Sequence, residues 1–142
     1  MDFNSQMEMK GRLTISINDE VVRDIDNLVV TSGKEYVASR MKDATATAMS
    51  HMAVGTGSTA AAAGDTTLGG ESARVALAST TVSGAVVTYV ATFPAGTGTA
   101  ALTEAAVLNA SSSGTMLCRT VFAVVNKGAN DVMAVSWAVT AS

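Results

Sequence analysis

Residues 12–18 alternate strictly between polar and apolar, with Leu13, Ile15 and Ile17 on one side, and predict a strand with one buried face. Between 19 and 30 the pattern supports two readings. Val21, Val22, Ile25, Leu28 and Val29 fit a helical stripe, while 28–30 also reads as the end of a strand. Ser32-Gly33-Lys34-Glu35 then has the S-x-x-E spacing of a capping box, with Ser32 as the N-cap and Glu35 reaching back from the third helical position. Tyr36, Val37 and Met41 follow on one stripe, so a short helix is expected at 33–43, packed on an end or open face of a sheet.

From residue 48 onward the period is that of strands. Residues 49–54 form a short one, ended by Gly55, and 55–70 form a long loop of Gly, Ala and Thr. Residues 72–81 alternate and read as one strand; 85–93 form another, ended by Pro94. Strands at 101–109, 115–125 and 132–140 follow, separated by turns at 111–114 and 126–131. About seven strands at this spacing predict an antiparallel β-sandwich of jelly-roll type with one short α-helix. The alternation puts Leu13, Ile15, Ile17, Val75, Leu77, Val87, Tyr89, Leu117, Val121, Val135 and Trp137 in the core. Residues 1–10 read as an extended polar arm ahead of a single domain at 11–142, with Phe3, Met7 and Met9 as the arm's large apolar groups.

Composition sharpens the β reading. Ala 25, Val 18, Thr 18, Ser 14 and Gly 12 make up 87 of 142 residues. Thr and Val suit a pleated, half-buried surface, and alanine is interleaved with them instead of with Leu, Glu and Lys. Charge is lopsided. Residues 1–43 hold six basic and eight acidic side chains, whereas the other 99 hold three and four. A surface so poor in charge is either coated with Ser and Thr or covered by partners, since interface cores are depleted of charge. Neither half is basic, so no nucleic-acid partner is expected. The apolar runs are too short for a transmembrane helix, and the first twelve residues carry no apolar stretch of the secretory type.

Chemistry is sparse. One cysteine excludes an internal disulfide and a multi-cysteine zinc site, and one histidine makes a triad improbable. Gly55-Thr56-Gly57 through Ala60 matches the dinucleotide fingerprint, but Gly64, Gly69 and Gly70 interrupt the helix it requires and no acid stands at the required offset. His51 reads as a half-buried strand histidine, and Cys118 as a small core hydrophobe. Glu104 and Arg119, across the 111–114 turn, are expected to form a cross-strand ion pair, and Asp65 to turn the long loop. Asp65 and Glu71 lack the ligand density of a calcium site. No enzyme, cofactor or metal is expected.

Residues 49–77, MSHMAVGTGSTAAAAGDTTLGGESARVAL, resemble a pattern of small virion structural proteins of tailed bacteriophages. There a short strand leads to a G-T-G turn, small residues, an Asp, a T-x-L and an acidic residue. Residues 89–122 continue it with YVATFPA, the T-E-A of 103–105, the S-G turn and the R-T-x-F of 119–122, so about two-thirds of the chain is covered. Capsid-cementing (decoration) proteins and tail-fibre or appendage proteins share this signature. For a chain of this length the resemblance favours the jelly-roll cement proteins of short-tailed phages. It implies a protein made in the host cytoplasm and placed on the capsid exterior of the virion. Its implied partners are the major capsid protein, whose neighbouring copies it bridges, and further copies of itself, as a dimer. Phe3, Met7 and Met9 are the expected capsid or subunit contacts.

Overall fold

The computed structural model describes residues 8–42 and 46–141. Its strands are β1 (Met9–Ile17), β2 (Glu20–Val29), β3 (His51–Gly55), β4 (Glu71–Ala76), β5 (Ser79–Ser83), β6 (Val86–Phe93), β7 (Ala100–Leu108), β8 (Met116–Lys127) and β9 (Met133–Ala141), with one helix, α1 (Thr31–Lys42). All pair antiparallel in one sheet of order β4-β3-β7-β8-β2-β1-β9-β6-β5. The sheet curls strongly into a half-barrel. Register shifts after Ile15, Val54, Leu102 and Val107 accompany the curl, as bulges increase local twist.

The ambiguous stretch at 19–30 is strand, not helix. Asn18 and Asp19 both hold positive φ, 50° and 68°, and make the two-residue turn of a β1–β2 hairpin. Asn and Asp tolerate that conformation better than other side-chain-bearing residues, and such turns match the twist of the strands they join.

The stretch 72–81 is not one strand but two, on opposite edges of the sheet. β4 ends at Ala76 and β5 begins at Ser79. The intervening Leu77 donates its N–H to Ser50 at 2.9 Å, and Ala78 donates to Val90 at 2.7 Å, so two residues span the gap between the two edges. The apparent single strand is what draws the curled sheet round on itself.

The main core fills the concave side. Leu13, Ile15, Tyr89, Leu117, Val135 and Trp137 are buried there as expected, and Ile17, Val75, Leu77 and Val87 pack half-buried against it. Val121 belongs to neither core cluster. Leu108 pairs with Met116 and Val107 with Cys118, leaving Leu117 as an extra residue, and one extra residue reverses the facing of the side chains that follow, up to the next register shift before Val125. Val121 therefore stands opposite Glu104, on the other face from Leu117.

Helix α1 starts earlier than its capping box predicts. Gly33 and Lys34 both donate to the Val30 carbonyl, at 3.0 and 3.1 Å. The Ser32 hydroxyl does not cap; it donates to the Met116 carbonyl of β8 at 2.8 Å. Gly33 is buried where a methyl would overlap the Leu117 carbonyl, so the absent side chain lets the helix sit directly on the bulged backbone of β8.

Candidate functional site

The face of β3, β7 and β8 opposite the main core carries a second, smaller cluster: Val30, Ala53, Ala106, Leu108 and Met116, covered by Leu68 from the loop 56–70. Strand alternation places Glu104 of β7 on this same face, two residues from Ala106. Its carboxylate is wholly buried, 0 % exposed, yet both oxygens meet donors. Oε2 accepts the N–H groups of Gly57 and Gly70, each at 2.7 Å, and Oε1 accepts that of Gly69 at 2.8 Å. Arg119 of β8 completes the set, donating to Oε1 at 3.0 Å.

Arg119 is itself 2 % exposed and held from the loop side. One terminal nitrogen meets Asp65 Oδ2 at 2.8 Å, and the other bonds the Thr59 carbonyl at 3.0 Å besides Glu104. Its Nε is buried and finds no acceptor among the described residues. Asp65 Oδ2 also accepts the Ala62 N–H at 2.8 Å, so one carboxylate both closes the local turn and ties it down. Thr103, beside Glu104, adds a 2.7 Å bond from its hydroxyl to the Gly57 carbonyl.

Burial of Glu104 disfavours its charge and is the largest single influence on its acidity. The bonds from Gly69, Gly70, Arg119 and Gly57 together outweigh it and hold the carboxyl below its ordinary range. The glycines are there for space. A methyl on Gly57 would lie 2.5 Å from the carboxylate oxygen, and one on Gly55 2.6 Å from it. The G-T-G turn, Asp65, the Leu68 of T-x-L, the Glu104 of T-E-A and the Arg119 of R-T-x-F thus converge on one clamp. It pins an uncharged loop, Ser58 to Gly64, over the sheet. The expected Glu104–Arg119 ion pair is present; the three backbone donors were not legible, because a glycine's N–H leaves no side-chain signal.

The other candidates fall elsewhere. His51 lies half-buried in β3 with Nδ1 2.7 Å from the Ser50 hydroxyl. Cys118 is fully buried, which pushes its thiol up. Glu71 pairs with Arg74 at 2.7 Å, and Asp65 with Arg119. Arg74 also bonds the Ala110 and Ser113 carbonyls, both at 2.9 Å, fixing the 111–114 turn to β4.

Met9, assigned to the arm, is the first residue of β1, paired with Ala141, and Lys10 is the second. Phe3 and Met7 lie outside the described residues. Met9 lines an apolar groove of about 440 Å³ between α1 and the inner sheet, with Tyr36, Val37, Val87 and Val139 among its walls. Tyr89, on the same groove, has its phenol pushed up to about 12 by burial. A second, more open groove of about 520 Å³ runs between Ser58 and Ala60 of the clamped loop and Leu28 and Val121 of the sheet. Among the described residues no helix is long and apolar enough to cross a membrane. No protein-family model, no curated protein and no solved structure matches this chain.

Proposed function

We propose that this protein is a phage capsid-decoration (cement) protein, which binds the outer surface of the shell and bridges neighbouring major capsid proteins. The observation that carries the reading is the clamp. Several residues on which the resemblance rests, the G-T-G turn, Asp65, Glu104 and Arg119, fix the 56–70 loop and hold a neutral, small-residue surface rigid. A preorganised surface loses little entropy on docking, and a surface without charge suits the core of an interface. Many modest contacts on a symmetric lattice then add through avidity, which suits a clamp resisting outward pressure from packed DNA. Jelly-roll architecture belongs to the same proposal. Its support is that β2 and β8 share only the pairs Leu28↔Arg119 and Val29↔Cys118, so the sheet nearly divides there into five- and four-stranded wings.

The test is copy number and reconstitution. Quantitative mass spectrometry of purified particles should find the chain in near-stoichiometric ratio to the major capsid protein. Purified chain added to stripped capsids should restore it and raise their melting temperature. A few per cent of that ratio, located on tails, would instead mark a tail-fibre or appendage component.

A further inference from the structure

We infer that β5 is a self-pairing edge, through which two copies of this chain join in a two-fold symmetric dimer. The curled sheet has two edges, β4 and β5, and they differ in kind. β4 carries Glu71 and Arg74, charges of the sort that discourage strand addition. β5, Ser-Thr-Thr-Val-Ser, is exposed at all five positions and has no charge, no proline and no covering element among the described residues. It sits within a run of 29 residues, 75–103, without a single Asp, Glu, Lys or Arg. Two copies meeting at this edge bring no like charges together, although the chain as a whole carries a net charge of −3.

The strand is also complementary to itself. An antiparallel pair centred on Thr81 places Thr81 opposite Thr81, Thr80 opposite Val82, and Ser79 opposite Ser83. Thr–Thr and Thr–Val pairs across strands are favourable. The register of β5 on β6 makes this centring compatible with the ladder. Ser83 and Val86 flank the two-residue turn at Gly84, whose φ is 57°. Bonding pairs then recur at every second residue, so Thr80 and Val82 turn their N–H and C=O groups to the open side. Those are the two residues that face each other in the proposed pair. Val82 supplies an apolar contact as well. It is 71 % exposed, and it pairs with Val87, which lines the groove under α1. This inference stands on the edge alone and does not depend on the capsid reading.

Sedimentation equilibrium of the full chain, over a concentration series to the submillimolar range, should show a reversible monomer–dimer equilibrium. Val82→Lys, which sets two ammonium groups near the two-fold axis at an exposed position, should weaken the dimer at least tenfold. Val82→Thr should leave it within about twofold, because Thr suits the same pairing. Thr81→Cys should form an intermolecular disulfide under mild oxidation, whereas Ser112→Cys, on the turn held by Arg74 and outside the proposed strand pair, should not. A chain that stays monomeric throughout the series overturns the inference. So does a dimer that Val82→Lys leaves unchanged, or one in which Ser112→Cys cross-links as fast as Thr81→Cys. Loss of capsid binding with the dimer intact would count against the decoration reading only.

Discussion

Two arginines in this molecule each hold two carboxylates at nearly the same distances, and they do different work. Arg12 of β1 meets Asp24 at 2.8 Å and Asp26 at 2.9 Å on the outer face of the β1–β2 hairpin. Arg119 meets Asp65 at 2.8 Å and Glu104 at 3.0 Å. The first trio stands in water, its members half or more exposed; in the second, Arg119 and Glu104 are buried beneath a loop and Asp65 is only partly exposed. In water, solvent competes for each charge and the net gain is small. Under the loop, removing Arg119 leaves Glu104 buried without a counter-charge, and removing Glu104 leaves the buried Arg119 with Asp65 alone. Connectivity differs too. The exposed trio joins adjacent strands that the backbone ladder already joins, whereas the buried one is the principal polar tie between the 56–70 loop and the sheet. Ion-pair distance alone says little; burial and what the pair tethers decide its worth.

The largest expected effect follows from Glu104→Gln. Arg119 would keep only Asp65 as a counter-charge, and the amide nitrogen would present donors to N–H groups that need an acceptor. A loss of about 3–5 kcal/mol is expected by urea denaturation, with new proteolytic cleavage inside 56–70. Equal stability to the parent would mean that the clamp is ornamental.

Gly57→Ala sharpens the comparison by disturbing the clamp through volume instead of charge. The new methyl, 2.5 Å from Oε2, must displace the loop or the carboxylate. About 1–3 kcal/mol of destabilisation is expected, with hydrogen exchange accelerating first at the Gly69 and Gly70 amides. Unchanged exchange there would refute the assigned geometry.

Acid should loosen the buried site next. Glu104 titrates lower in the folded chain than in the unfolded one, so its contribution is complete above the ordinary carboxylate range and is lost as pH falls through the folded value. Asp24 and Asp131 are also shifted down, the first chiefly by its bond from Arg12 and the second by the Gly128 N–H. Below about pH 4 the melting temperature should therefore fall. Glu104→Gln should remove part of that acid dependence. Identical slopes in the two proteins would assign the acid sensitivity to other carboxylates.

Arg12→Ala is expected to do least: a melting-temperature change of no more than about 3 °C, smaller still at high salt. A shift as large as that of Glu104→Gln would erase the contrast between exposed and buried trios.

Local rules determined a good deal. Strict alternation at 12–18, the strand-ending Pro94, the turn at 111–114, a turn after Lys127 (two residues later than the pattern places it) and a helix near 33–43 all follow from the residue pattern, because period and turn chemistry act over a few residues. The Glu104–Arg119 pair was legible for the same reason, since a turn brings its two strands together. What lay beyond the sequence were choices made between distant segments. The two halves of 72–81 carry no turn signal between them, and only closure of the sheet sends them to opposite edges. Ser32 has the chemistry of a cap, but the Met116 carbonyl, 84 positions away, takes its hydroxyl. One bulged residue, Leu117, reversed the facing of Val121, because side chains alternate with period two and a single insertion changes the phase of those that follow until the next register shift. The clamp itself rests on three glycine N–H groups, which only tertiary structure could aim at one carboxylate.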